Sequence, residues 1–172
     1  MTDKNNIDVL DETLKSLSIE DNIKLEKEVS FKDILYYSIV VCEESFNNIK
    51  TNPNIIKDTE NIDENIKLNE KLHITALYTG GKFNENASKF TEFIGKDVKI
   101  TVDTYAISSN FIVLGVSNLD NIPYYGNPIK HITYGVKKGC KPVNSPSAFK
   151  DGITYIFEKP LELNAKLEVI TK

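Results

Sequence analysis

Hydrophobic positions along this chain fall into short runs divided by polar stretches, and the runs change character near residue 70. Residues 1–30 are polar and acidic. Their one weak stripe, Ile7, Leu10, Leu14 and Leu17, fits a helix face as readily as a loose tail. The run from Ile34 to Cys42 is rich in β-branched and aromatic residues and predicts a buried strand. A short helix follows over 43–52, ending near Pro53, and the charged stretch 55–69 reads as loop with some helix. From residue 71 strands come quickly, at 71–78, 97–107, 111–117, 129–136, 153–158 and 165–171. Helical segments intervene at 86–94 and 145–150, and Ser108-Ser109-Asn110 reads as a hairpin turn. Strands outnumber helices and most links are short. The prediction is one α+β domain over 31–172 with largely antiparallel strands, preceded by an acidic tail over 1–30.

Composition narrows the function classes. The 172 residues fit one domain, and a net charge of −4 argues against a broad nucleic-acid-coating face. The charge is unevenly spread: residues 1–70 carry 16 acidic and 8 basic side chains, and residues 71–172 carry 9 and 13. Lys130, Lys137, Lys138 and Lys141 crowd one segment of the basic part, a field that favours an anionic ligand there. The longest apolar run is far below the ~20 residues that cross a bilayer. Neither a signal-like start nor a prenylation box is visible, so the expectation is a cytoplasmic domain without membrane attachment. Cys42 and Cys140 do not suggest a disulfide framework, and four Cys and His residues scattered along the chain have no metal-ligand spacing. No metal and no cofactor are expected.

Chemistry concentrates in the two histidines, His73 and His131, because each opens the same tripeptide, His-Ile-Thr. On a strand, alternate side chains share a face, so His73 projects with Thr75, and His131 with Thr133. The intervening Ile74 and Ile132 turn toward a core. Two such strands in one cleft would bring together two imidazoles and two hydroxyls. That set suits phosphodiester cleavage: a neutral imidazole takes a proton from water and an imidazolium gives one to the leaving oxygen. Threonine hydroxyls can donate to the non-bridging phosphate oxygens. Gly80 and Gly81 in "TGGK" lack the spacing of a phosphate loop and read as the turn that ends the first motif strand.

Paired, strand-borne His-x-Thr elements make the chain resemble the two-histidine (2H), LigT-like phosphoesterase superfamily. Within it, the similarity is to the 2′,3′-cyclic nucleotide 3′-phosphodiesterases and tRNA-ligase-type cyclic phosphodiesterases, from about residue 34 onward. It is carried by "LHIT" with Tyr78, by "GKDVKITV", and by "HITYG" followed by "CKPV". The resemblance implies two antiparallel sheet lobes related by an approximate twofold around a central cleft, with helices outside. It implies His73 as acid, His131 as base, Thr75 and Thr133 as phosphate-binding hydroxyls, and a loop through Pro142 and Val143 closing over the phosphate. Tyr78 would stack on the base, although strict alternation turns it away from the His73 face, so that role requires a twist or bulge. Where the family places a base-sandwiching arginine this chain has Ile129, and Tyr124 beside Tyr125 is the candidate replacement. Lys130 is expected to disfavour protonated His131 more than protonated His73.

The implied reaction is metal-independent hydrolysis of a 2′,3′-cyclic phosphate to a 2′-phosphate. The partner is a small nucleotide or RNA-end substrate, with no obligate protein partner and a monomeric state. Two alternatives stay open. One is cleavage of 2′–5′ linkages in signalling nucleotides such as 2′,3′-cyclic GMP-AMP or 2–5-oligoadenylate, as LigT-like proteins from viruses perform. The other is a nucleotide-binding module without turnover, against which the four intact His and Thr positions argue.

Overall fold

The computed structural model describes residues 33–172, so the acidic tail and its Ile7–Leu17 stripe lie outside the described residues. The apolar run forms β1 (Ile34–Val41), and α1 (Glu43–Lys50) follows it directly. That helix ends near Pro53 as expected, but Pro53 has a further part. It opens a second one, α2 (Pro53–Thr59), where its missing N–H costs nothing, and the Asn52 side chain accepts from the Asn54 and Ile55 amides at 3.0 and 3.1 Å. The charged stretch expected as loop with helix also carries a short strand, β2 (Ile66–Leu68). Next come β3 (His73–Tyr78), a 3-10 segment (Glu85–Phe93) where a helical segment was expected, β4 (Asp97–Ile107) and β5 (Phe111–Leu119). Ser108 closes the β4–β5 turn by accepting from Asn110 and Phe111 amides at 3.2 and 3.0 Å. The chain ends through β6 (His131–Lys137), a 3-10 turn (Pro142–Ser147), α3 (Ala148–Asp151) and β7 (Ile153–Thr171).

All seven strands join one antiparallel sheet in the order β2-β6-β5-β4-β7-β1-β3. The ladder is thus continuous and open rather than two separately bonded sheets. β7 supplies the continuity. The sequence reads as two strands, 153–158 and 165–171. In the structure they are one, with residues 157–160 as a long bulge: Leu161 faces Val102, Ile156 faces Thr104, and only Asp103 lies between those partners. Pro160 is tolerated there because a bulge residue need not donate to the ladder. Beyond the bulge, Ala165 to Thr171 also pair with β1, so one strand ties both ends of the sheet together.

Two apolar clusters cover the sheet. The larger gathers Ile39, Ile74, Ile100, Leu114 and Ile132 from the strands, with Ile49 of α1, Ile55 of α2 and Phe90. Phe90 stacks on Tyr37 with ring centres 5.0 Å apart. The smaller sets Ala148 of α3 against Ala106, Phe111 and Val113, with Phe149 packed beside it. Each Ile of the two His-Ile-Thr elements is fully buried, and that burial anchors the motif strands.

Candidate active site

The two motif strands lie near opposite ends of the sheet order, yet they meet. Residue Asn69, just before β3, reaches across to β6: its amide donates to the Tyr134 carbonyl at 2.8 Å and its side chain to the Thr133 carbonyl at 2.9 Å. In return Tyr125, just before β6, donates to the Ala76 carbonyl of β3 at 2.7 Å. The lead-in to each motif strand is therefore hydrogen-bonded to the other motif strand. These crossed bonds curl the open sheet and close a cleft of about 950 Å³ lined by His73, Thr75, His131 and Thr133.

The two strands also share an irregularity. On β3, Leu77 faces Tyr37 and Thr75 faces Ser38, which leaves Ala76 unmatched. On β6, Gly135 faces Ile112 and Thr133 faces Val113, which leaves Tyr134 unmatched. Each His-Ile-Thr is thus followed at once by a one-residue bulge, and the two crossed backbone hydrogen bonds are accepted by the carbonyls of those same two residues. The β3 bulge answers the question of Tyr78. An extra residue resets the alternation, so Leu77 is buried and Tyr78 returns to the His73 and Thr75 face, two-thirds exposed along the cleft wall.

His131 is held by its own strand entry. Its Nδ1 lies 2.7 Å from the Ile129 carbonyl. A carbonyl only accepts, so Nδ1 carries the hydrogen and Nε2 is left to exchange protons. The atom that Ile129 contributes here is a backbone one. The Asn127 side chain accepts from the Ile129 amide at 2.8 Å and steadies that turn.

Both imidazoles are pushed below their ordinary pKa of 6.5. For His73 burial is the main cause, followed by the charge of His131 and then that of Lys71. For His131 burial lowers the value and the Ile129 carbonyl opposes it. The expected influence of Lys130 on His131 is not what the structure shows. Lys130 lies over the Tyr124 ring, 5.4 Å from its centre, and the lysine acting on an imidazole is Lys71 on His73.

The second motif's hydroxyl is also positioned. Thr133 Oγ1 lies 2.6 Å from Ser145 Oγ, and Ser145 is fully buried. Ser145 belongs to the 3-10 turn that carries Pro142 and Val143, both of which line the cleft. The turn is therefore docked on β6 through Thr133. At the opposite wall Tyr124 donates to the Asn127 carbonyl at 2.5 Å, and Tyr125 accepts from Lys89 Nζ at 3.1 Å. Tyr78, Tyr124 and Tyr125 thus share the cleft with Tyr36, whose ring centre is 5.9 Å from that of His73.

Sequence reasoning missed Tyr36, Asn69, Ser145 and Gly126. Tyr36 sat in an apolar run, and its tyrosine among aliphatic residues was the available signal. Nothing local marked the other three. Gly80 and Gly81 form the expected turn, with φ of 62° and 84° and amides donating to the Leu35 and Ile34 carbonyls at 2.9 and 2.8 Å. Cys42 and Cys140 are free thiols, and among the described residues no three His, Cys, Asp or Glu side chains group as a metal cage. No described helix is long and apolar enough to cross a membrane.

The sequence matches no family model and no curated protein. Its structure is similar to the crystal structure of a fungal RNA kinase, with a TM-score of 0.58 and 15 % sequence identity. The likeness covers 98 % of this chain and 55 % of that one, so the chain spans about half its length. At such identity, the shared property is the fold.

Proposed function

We propose that the protein is a two-histidine phosphodiesterase that opens 2′,3′-cyclic phosphates of nucleotides or RNA ends to 2′-phosphates. One observation carries the reading: both His-Ile-Thr elements, distant in sequence and in strand order, line a single cleft with equivalent bulges and crossed hydrogen bonds. That equivalence also favours the approximate twofold relation of two lobes found in the superfamily. A fold shared with an RNA kinase leans the substrate class toward RNA ends.

In this mechanism the cyclic phosphate sits between the imidazoles with Thr75 and Thr133 on its non-bridging oxygens. Neutral His131 takes a proton from water through Nε2 as the water oxygen bonds to phosphorus. The phosphorus–O3′ bond breaks, and protonated His73 supplies the proton to O3′. Lowered pKa values favour the base in the free protein. The bound phosphate anion favours the imidazolium that the acid needs. Pro142 and Val143 wall the attacking side, and Tyr78 with Tyr124 offers faces for the base.

The test is a panel of 2′,3′-cyclic mononucleotides, cyclic-phosphate RNA ends, 2′–5′-linked dinucleotides and 2′,3′-cyclic GMP-AMP, with products identified by mass and by phosphate position. Production of 2′-phosphates from the cyclic phosphates supports the proposal. Turnover confined to 2′–5′ linkages would move the assignment to signalling nucleotides, and tight binding without turnover would leave a binding module. A substrate whose leaving group needs no proton separates the roles. It should restore rate to His73→Ala and not to His131→Ala, and the opposite result reverses the assignment.

A further inference from the structure

Beside the catalytic cleft lies a second cavity of about 710 Å³, bounded by α1, β2 and the segment leading into β3. The two cavities share Asn69, Glu70 and Lys71, so a ridge three residues wide divides them. On the far side of that ridge stands Tyr134, the bulge residue of the second motif. It is 4 % exposed and lines the second cavity, and its hydroxyl makes no hydrogen bond to any described residue. Burial alone raises its pKa. A tyrosine hydroxyl that the chain leaves without a protein partner beside a cavity is open to a hydrogen bond with a group bound there.

The rest of the lining describes that partner. The half-buried Phe46 ring gives a flat apolar wall, with Lys50 Nζ 5.2 Å from its centre. The exposed Asn47 side chain adds an amide with both a donor and an acceptor. Lys50 and Lys71 are balanced by Glu43 and Glu70, which disfavours a cluster of phosphates and suits an uncharged ring with polar edges. On the ridge itself Lys71 can pair with one linking phosphate. Its contact with Glu168 is 3.7 Å long and exposed, and too weak to compete. Glu70 can accept from a ribose 2′-hydroxyl, the group that separates RNA from DNA.

We propose that this cavity is a subsite for the nucleotide preceding the cyclic-phosphate end of an oligoribonucleotide. The inference rests on the function proposed above and makes the RNA end, rather than the free mononucleotide, the preferred substrate. The terminal nucleotide occupies the catalytic cleft, the linking phosphate crosses the ridge at Lys71, and the next base lies between Phe46 and the Tyr134 hydroxyl.

The experiment compares kcat/KM for a 2′,3′-cyclic mononucleotide and a tetraribonucleotide ending in a 2′,3′-cyclic phosphate, on the wild-type protein, Tyr134→Phe and Asn47→Ala. Wild type should favour the tetranucleotide by about tenfold or more, through KM, since each added hydrogen bond contributes up to a tenfold factor. Each variant should shrink that advantage by roughly three- to tenfold while keeping mononucleotide turnover within about twofold. Equal kcat/KM for the two wild-type substrates would overturn the subsite, and so would an advantage that both variants retain. Fluorescence anisotropy with a labelled tetraribonucleotide 3′-phosphate keeps the two proposals distinct. If no cyclic phosphate is hydrolysed but Tyr134→Phe still weakens this binding, the subsite stands and the reaction fails. If neither variant weakens it, the subsite fails.

Discussion

Ser145→Ala should damage catalysis through a residue it does not share a strand with. The Ser145 hydroxyl is fully buried and lies 2.6 Å from Thr133 Oγ1. Thr133 is only half-buried, so once its partner is gone its hydroxyl can turn toward the cleft and stay solvated. The stability loss is then that of one hydrogen bond, about 0.5–1.5 kcal/mol. For a chain of this length that lowers Tm by roughly 1–6 °C. The kinetic effect follows from orientation. Thr133→Ala removes a donor to the phosphate oxygens and should cost about 10²-fold in kcat/KM. Ser145→Ala leaves the donor present but unheld and should cost about tenfold. The double variant should then match Thr133→Ala alone, because Ser145 acts on the reaction only by way of Thr133. Rates on a 2′,3′-cyclic nucleotide for the four proteins, with thermal melts in parallel, close the cycle. Losses that add to within about 0.5 kcal/mol would refute the reasoning and make Ser145 a packing residue only.

Three further outcomes follow from the same geometry. A methyl group at Gly126 would stand 2.4 Å from the Thr75 carbonyl and 2.8 Å from the Tyr124 hydroxyl. Gly126→Ala should therefore destabilise the protein by about 1–3 kcal/mol and depress turnover, and a melt unchanged from wild type would contradict the packing. Because both imidazoles titrate below 6.5, kcat/KM should follow a bell with its maximum below that pH, and Lys71→Met should move the His73 limb upward. Stability has the matching sign. Between the lowered folded values and 6.5 the unfolded chain binds more protons, so ΔG of unfolding should rise with pH across that window; a fall there would show the shifts to be reversed. Turnover should also survive exhaustive EDTA treatment, since the imidazoles themselves carry the proton transfers; loss restored by zinc or manganese would sink this.

Much of the local structure was legible because it answers to local rules. β4 spans the expected residues 97–107, and its first half alternates, burying Val98, Ile100 and Val102 on one face. The His-Ile-Thr pair was legible because alternation alone puts His and Thr together and Ile behind them. What stayed hidden depends on partners far along the chain. The bulges at Ala76 and Tyr134 exist only relative to β1 and β5, so Tyr78 could not be placed from spacing. β7 looked like two strands because its long bulge mimics a loop in sequence, and its unity appears only when β4 pairs on both sides of Asp103. Pro53 was ambiguous for a local reason: the same residue suits the end of one helix or the first turn of the next, and Asn52 as a cap decides it. Lys130 misled because nearness in sequence does not fix where a long side chain goes: its ammonium lies over the Tyr124 ring.

The central claim is that His73 and His131 act as one acid–base pair on a phosphate held between them. Its most direct test is kcat/KM of His73→Ala, His131→Ala and the double variant on a 2′,3′-cyclic nucleotide that the wild type opens, with melts to verify folding. Each single variant should lose about two to four orders of magnitude. The double should be little worse than the poorer single, because groups that act as a unit fail together. A folded single variant that keeps near-wild-type turnover would contradict the account.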